Sequence, residues 1–237
     1  MLKQAAALLK RVSTTSLHRP LAMAIILREA SDADIPRSME MESSAYAATS
    51  SASGSILFPG PFPPEGRQIR VQQIIDSGKN SATTFMLAID EETGEQMAFS
   101  KWCFYKTEEE AKSAPPRPIP RGPGLNAGAC QAFFGGLIEK KTEIMGTSPH
   151  VYLHMLHTDP KYQKRGAASA LLKWGLQRAD ELGLPTYLES SPIGQPLYKK
   201  HGFKDVGSVD VDLTPFGGEG LTHSAPCMLR EAYNTST

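Results

Sequence analysis

Gln163-Lys164-Arg165-Gly166-Ala167-Ala168 lies between a β-patterned run, His150 to Thr158, closed by Asp159-Pro160, and an amphipathic stretch, Ser169 to Leu182. In that stretch Ala168, Leu171, Leu172, Leu176, Ala179 and Leu182 recur at helical spacing. Lys173, Gln177, Arg178, Asp180 and Glu181 fall on the opposite side, and Gly183 with Pro185 behind it marks the end of the helix. A strand, a turn of small residues and a helix that starts at once leave several main-chain N–H groups without an intrahelical acceptor at one helix N-terminus, which suits an anion. Gly166, Ala167 and Ala168 let a pyrophosphate approach the backbone, and Lys164 and Arg165 add positive charge at its rim. A nucleoside-triphosphate loop is excluded, because no G-x-x-x-x-G-K followed by Ser or Thr occurs.

Downstream, Pro185 to Ser191 reads as another strand, and Pro196-Leu197-Tyr198-Lys199-Lys200-His201-Gly202-Phe203 as a short helix running into a turn. Together these segments resemble the GCN5-related N-acetyltransferase (GNAT) superfamily. Gln163-x-x-Gly166-x-Ala168 matches its acetyl-CoA motif, and Tyr198, Gly202 and Phe203 match its Tyr-x-x-x-Gly-Phe. With the strand and acid-rich helix start at Ile25 to Asp34, the resemblance covers Met23 to Arg230. There are two departures. One is the segment from Glu108 to Gly128; the other is Ser191, which stands where many members carry an asparagine bonded to the cofactor. Serine can still donate or accept one hydrogen bond.

The resemblance implies a mixed α/β fold: a central, mostly antiparallel sheet flanked by helices, with the cofactor in a splay between two central strands. It implies acetyl-CoA as co-substrate and direct attack by an amine while both substrates are bound. Main-chain groups of Leu156, His157 and Thr158 would pair with the pantetheine arm. Gln163, Lys164, Arg165, Gly166, Ala167, Ala168 and Ser169 would hold the pyrophosphate, Ser191 would make a further contact, and Tyr198 would donate to the leaving thiolate. A phenol with a reference pKa near 10 and a thiol near 8.5 make that proton transfer uphill by only about 2 kcal/mol. An ammonium cannot attack, so a group must accept the amine's proton, and Glu189 and His154 are the candidates. Alternation puts Glu189 on the face of Tyr187 and Ser191, and His154 on the face of Leu156 and Thr158.

The remaining residues bound this reading. Twenty-five Lys and Arg balance twenty-five Asp and Glu, so no excess charge draws the chain to nucleic acid or anionic lipid. With 237 residues, 40% of them hydrophobic, one domain is expected over 23–237. The longest apolar run, Leu21 to Leu27, is too short to span a bilayer. Cys103, Cys130 and Cys227 are odd in number and far apart, and read as buried thiols of a reducing, cytoplasmic compartment. Residues 1–22 carry Lys3, Lys10, Arg11 and Arg19 without an acid, as a mitochondrial presequence does; they equally read as a tail ahead of a true start at Met23. His154 and His157, three apart on a strand, should face opposite ways, and no H-E-x-x-H or cysteine cluster occurs, so no metal is expected. No G-x-S-x-G elbow supports a covalent acyl-enzyme.

Elsewhere, Ala24 to Ala30 reads as a strand, Ser43 to Gly66 as a loop or interrupted helical region, and Thr83 to Asp90 with Glu95 to Tyr105 as a hairpin. Pro115, Pro116, Pro118, Pro120 and Pro123 make about 108–128 a surface insertion, and its Gly122, Gly124 and Gly128 follow no strand as a dinucleotide fingerprint must. Ala129 to Met145 is helical, and strands at Val206 to Leu213 and Ser224 to Arg230 close the chain. The acceptor is expected to be a small-molecule amine, met by a monomer or homodimer. The competing readings are another acyl-CoA or a hydroxyl acceptor, and a CoA-binding sensor without catalysis.

Overall fold

The computed structural model describes residues 24–48 and 51–233, so the basic leader 1–22 lies outside the described residues. Seven strands form one sheet in the order β1-β2-β3-β4-β5-β7-β6. They are β1 Ile25–Glu29, β2 Thr83–Asp90, β3 Gln96–Tyr105, β4 His150–Thr158, β5 Thr186–Glu189, β6 Lys204–Asp212 and β7 Thr222–Arg230. Every pairing is antiparallel except β4 with β5. The helices are α1 Ile35–Ala48, α2 Ala52–Leu57, α3 Pro64–Gly78, α4 Glu108–Lys112, α5 Ala127–Met145, α6 Ala167–Glu181 and α7 Gln195–Lys200. This is the mixed, mostly antiparallel sheet flanked by helices that the resemblance implied.

Strand β3 is buried over nearly its whole length because helices cover both of its faces. On one face α6 lies against Trp102, Phe104, Val151, Leu153, Leu188 and Met228. Its inner side is Ala167, Leu171, Leu172, Gly175, Leu176 and Ala179, so Ala167 takes the core position expected of Ala168. Gly175 sets the distance: a Cβ there would lie 2.1 Å from the Trp102 ring.

The opposite face carries two separate helical groups. Ile35, Met39 and Met41 of α1 and Ile74 of α3 pack on Phe85, Leu87, Phe99 and Met155. Cys130, Phe133 and Leu137 of α5 pack on Cys103, Tyr105, Tyr152, Tyr187 and Cys227. Lys101 belongs to the same β3 face as Phe99 and Cys103 by alternation, so it sits where the two groups part. All three cysteines are buried and unpaired.

Ser43 to Gly66 resolves into the end of α1, all of α2 and the start of α3. The segment expected to be irregular from Glu108 opens with α4, capped by Thr107, whose side chain accepts from the Glu110 amide. That helix ends before the first proline, so the steric ban on helix acts only beyond it. Among the described residues no helix is long and apolar enough to cross a membrane.

Candidate active site

Strands β4 and β5 pair only at Val151 with Thr186 and Tyr152 with Tyr187, and beyond that point β4 runs on alone. Its other edge stays on β3, where the Asp159 amide donates to Met97 O. Met97/Asp159, Phe99/His157 and Lys101/Met155 are therefore hydrogen-bonded pairs, and Ala98/Thr158 and Ser100/Leu156 are not. It follows that Leu156 and Thr158 turn N–H and C=O into the open splay, while the main chain of His157 is used by β3.

The register of β4 shifts between Leu153 and Met155, leaving His154 as the extra residue of a bulge opposite Lys101 and Trp102. The bulge inverts the alternation on which the expectation for His154 rested. Leu156 packs towards α6, whereas His154 stacks on Tyr152 on the other face, ring centroids 5.2 Å apart. His157 reaches that same face, with Nε2 at 3.5 Å from Glu42 Oε1 of α1. The two histidines thus share a face. Among the described residues no group of three or more His, Cys, Asp or Glu side chains is placed to hold a metal ion.

Where β4 ends, the Asp159 carboxylate accepts from the Lys161 amide and forms an ion pair with Arg37. The chain then turns through Pro160–Tyr162 into a loop with left-handed backbone at Lys164, φ 63°, and Gly166, φ 93°. Left-handed residues alternating with ordinary ones turn successive N–H groups to one side, as in anion-binding nests. The first main-chain bond into α6 is Ala170 N–H to Gly166 O. Among the described residues the amides of Gly166, Ala167 and Ala168 meet no acceptor, and no side chain caps the helix. The loop therefore fits a diphosphate by its own geometry. Gln163, Lys164 and Arg165 are exposed at its rim. The Ser169 hydroxyl is bonded to His201 Nε2 at 2.7 Å, which ties the loop to α7.

Ser191 lies at the entrance to α7, its Oγ accepting from the Gly194 amide at 3.1 Å, which leaves its O–H and a second lone pair to offer. Tyr198 is buried against Phe203, ring centroids 5.8 Å apart and nearly perpendicular. Burial, and then the nearby Tyr46 of α1, push its phenol well up. Tyr46 stands between the two ends of the site, its ring 5.8 Å from that of His157.

Glu189 extends from β5 into the gap between α3 and α5, where it accepts from Tyr152 Oη at 2.7 Å and faces Arg117 Nη2 at 3.6 Å. Arg117 comes from the proline-rich segment, so that segment is more than a surface insertion: its guanidinium is mostly buried, and its Nε donates to His154 Nε2 at 3.3 Å. Burial and then Arg117, Lys101, Arg70 and Lys141 hold the His154 pKa far below the ordinary value, so the ring stays neutral. On the α1 side Arg70 forks onto Glu42 at 2.9 and 3.3 Å. Burial opposes the Glu42 charge, but His157 and Arg70 outweigh it and hold the carboxyl at about 2. The site thus joins His154, His157, Glu189 and Tyr198, and adds Glu42, Tyr46, Arg70, Arg117 and Tyr152. Sequence reasoning missed these five because only the fold brings them there.

The model of the acetyltransferase (GNAT) family matches residues 86–203, about half of the chain and both motifs. Over 55 residues the chain is 38% identical to an uncharacterized N-acetyltransferase, YafP, of Escherichia coli, covering 23% of this chain and 34% of that protein; the match spans about a third of that relative's length. A structure described as histone acetyltransferase HPA2 and related acetyltransferase from Corynebacterium glutamicum superposes with a TM-score of 0.58 at 21% identity, covering 91% of this chain and all of that one. A mosquito arylalkylamine N-acetyltransferase like 5b gives 0.55 at 14% identity, over 88% of this chain and 100% of the other. At these identities the structures speak for the fold; with the family model and the two motifs in place, the chain belongs to the GCN5-related N-acetyltransferase family of acyltransferases.

Proposed function

We propose that this protein transfers the acetyl group of acetyl-CoA to the amine of a small molecule, by direct attack with both substrates bound. The observation that carries the reading is the row of unaccepted amides at Gly166, Ala167 and Ala168, continuous with the open β4 edge at Leu156 and Thr158. The first grips a diphosphate and the second an extended amide-bearing arm. Acetyl-CoA supplies a thioester carbonyl as electrophile and a thiolate as leaving group.

The chain's own residues divide the remaining work. The Leu156 and Thr158 main chain orients the arm, and an N–H at this edge polarises the carbonyl. Tyr198 donates to the departing sulfur; with its phenol pushed up by burial, a strong hydrogen bond is favoured over complete proton transfer. His154 already spends its Nε2 lone pair on Arg117, and Glu189 is occupied by Tyr152 and Arg117, so both position the acceptor. His157 turns its Nε2 to Glu42 Oε1 at 3.5 Å, and that carboxylate favours a proton on Nε2, offsets an imidazolium and leaves Nδ1 as the basic nitrogen. His157 is therefore the proton acceptor in this reading.

Release of free CoA from acetyl-CoA over a panel of amines tests the activity. Tyr198→Phe should lower kcat by about a hundredfold or more, as loss of a general-acid contact does, with acetyl-CoA affinity unchanged. Undiminished turnover in that variant would remove Tyr198 from the reaction. No CoA release with any amine, alongside intact CoA binding, would leave the sensor reading in its place.

A further inference from the structure

Four cations converge on the gap between α3 and α5, and they are not equally compensated. Arg70 is held by Glu42, and Arg117 faces Glu189. Lys141 lies over the rings of Tyr105 and Tyr152, 5.3 and 5.0 Å from their centroids. Lys101 is 6% exposed, and among the described residues its ammonium meets a single hydrogen-bond partner, the Ser77 hydroxyl at 2.9 Å. A buried ammonium against one neutral hydroxyl is a costly arrangement unless an anion completes it. Two carboxylates, Glu42 and Glu189, thus stand among four cations.

We propose that the acceptor is an amine that also carries a carboxylate, and that Lys101 and Arg117 receive that carboxylate in the gap between α3 and α5. The inference rests on the acetyltransferase reading and specifies its substrate class. A carboxylate suits the place because a guanidinium edge and an ammonium together match its two oxygens. The same cations repel a ligand whose only charge is its own ammonium. The wall beside Arg117 is aromatic: its guanidinium lies 5.9 Å from the Phe134 ring centroid, and Phe134 meets Phe58 edge-on. That wall would take an apolar side chain on the same molecule.

The test compares amines in pairs that differ by the carboxylate, namely L-phenylalanine with 2-phenylethylamine and L-leucine with 3-methylbutylamine. The full chain is saturated with acetyl-CoA and kcat/KM is read from CoA release. Each acid-bearing member should be preferred by about tenfold or more, the size of one charge-assisted contact. Lys101→Met should shrink the preference to less than about threefold, read as the ratio within each pair so that any common change in turnover cancels, with Lys101→Gln as a second variant in case the first does not fold. Equal or better use of the plain amines, a preference that survives both variants, or no turnover of any member by protein that binds acetyl-CoA would overturn the proposal. Calorimetric titration with acetyl-CoA separates the failures: absent binding sinks the acetyltransferase reading itself, whereas intact binding with the wrong preference sinks only the carboxylate.

Discussion

Replacing Gly166 by alanine strains the backbone at the point where β4 hands over to α6. Gly166 has φ 93°, and among the described residues a Cβ there would meet only Ile25 Cδ1, at 3.8 Å, an ordinary contact. Crowding therefore adds little, and the cost is that of a left-handed L-residue, about 1–2 kcal/mol. For a chain of this size that corresponds to a fall in Tm of roughly 2–8 °C. The same strain pulls the amides of Gly166 and Ala167 out of line, so the CoA dissociation constant should rise by about tenfold or more, equivalent to one lost charge-assisted bond. Gly183→Ala is the matched control: φ is 65°, no described residue lies within 4 Å of an added Cβ, and the position is at the far end of α6. It should lower Tm by a similar amount and leave CoA affinity alone. Differential scanning fluorimetry and calorimetric titration read both effects. If the two variants lose stability alike and bind CoA alike, the loop does not hold the diphosphate.

Gly175→Ala should destabilise by about 1–3 kcal/mol, since its methyl would overlap the buried Trp102 ring by more than a helix gains from alanine; chemical denaturation measures it, and an unchanged midpoint would show that α6 is not seated on Trp102. His150 is fully buried and its pKa is pushed down to about 4, chiefly by burial. Because the folded value lies below the unfolded one, its contribution is complete above about pH 6.5 and is lost as pH falls towards 4, on the order of 3 kcal/mol. Urea denaturation across that window should show the loss, and His150→Phe should flatten it. A slope that persists unchanged in His150→Phe would assign the titration to another group.

The parts of the fold that could be read from sequence are those in which one local pattern settles the matter. Ser169 to Leu182 shows a single apolar side, so α6 was recoverable to within two residues at its start. His150 to Thr158, bounded by Gly146 and Asp159-Pro160, matches β4 at both ends. The face of His154 was misjudged because strict period-two alternation has no place for a bulge, and nothing in Leu153-His154-Met155 marks one. Gly175 passed unnoticed in the helix because its reason for being glycine is a tryptophan on another strand. Arg117 was hidden in a proline-rich stretch whose composition speaks for the surface, although its side chain reaches inward to Glu189 and His154. Glu42 and Arg70 are ordinary charged residues on amphipathic helices until the fold sets them beside His157. The two family motifs are contiguous and therefore legible, whereas the charged cluster around His154 and His157 is assembled from α1, α3, β3, β4, β5 and the proline segment.

Chemical-shift mapping of the 15N-labelled protein during CoA titration tests most directly whether particular main-chain amides grip CoA. Saturable shifts should concentrate at Gly166, Ala167 and Ala168 and at Leu156 and Thr158, with the β6 and β7 amides nearly still. A protein whose loop amides stay in place at saturating CoA, or whose largest shifts map to another surface, would contradict it.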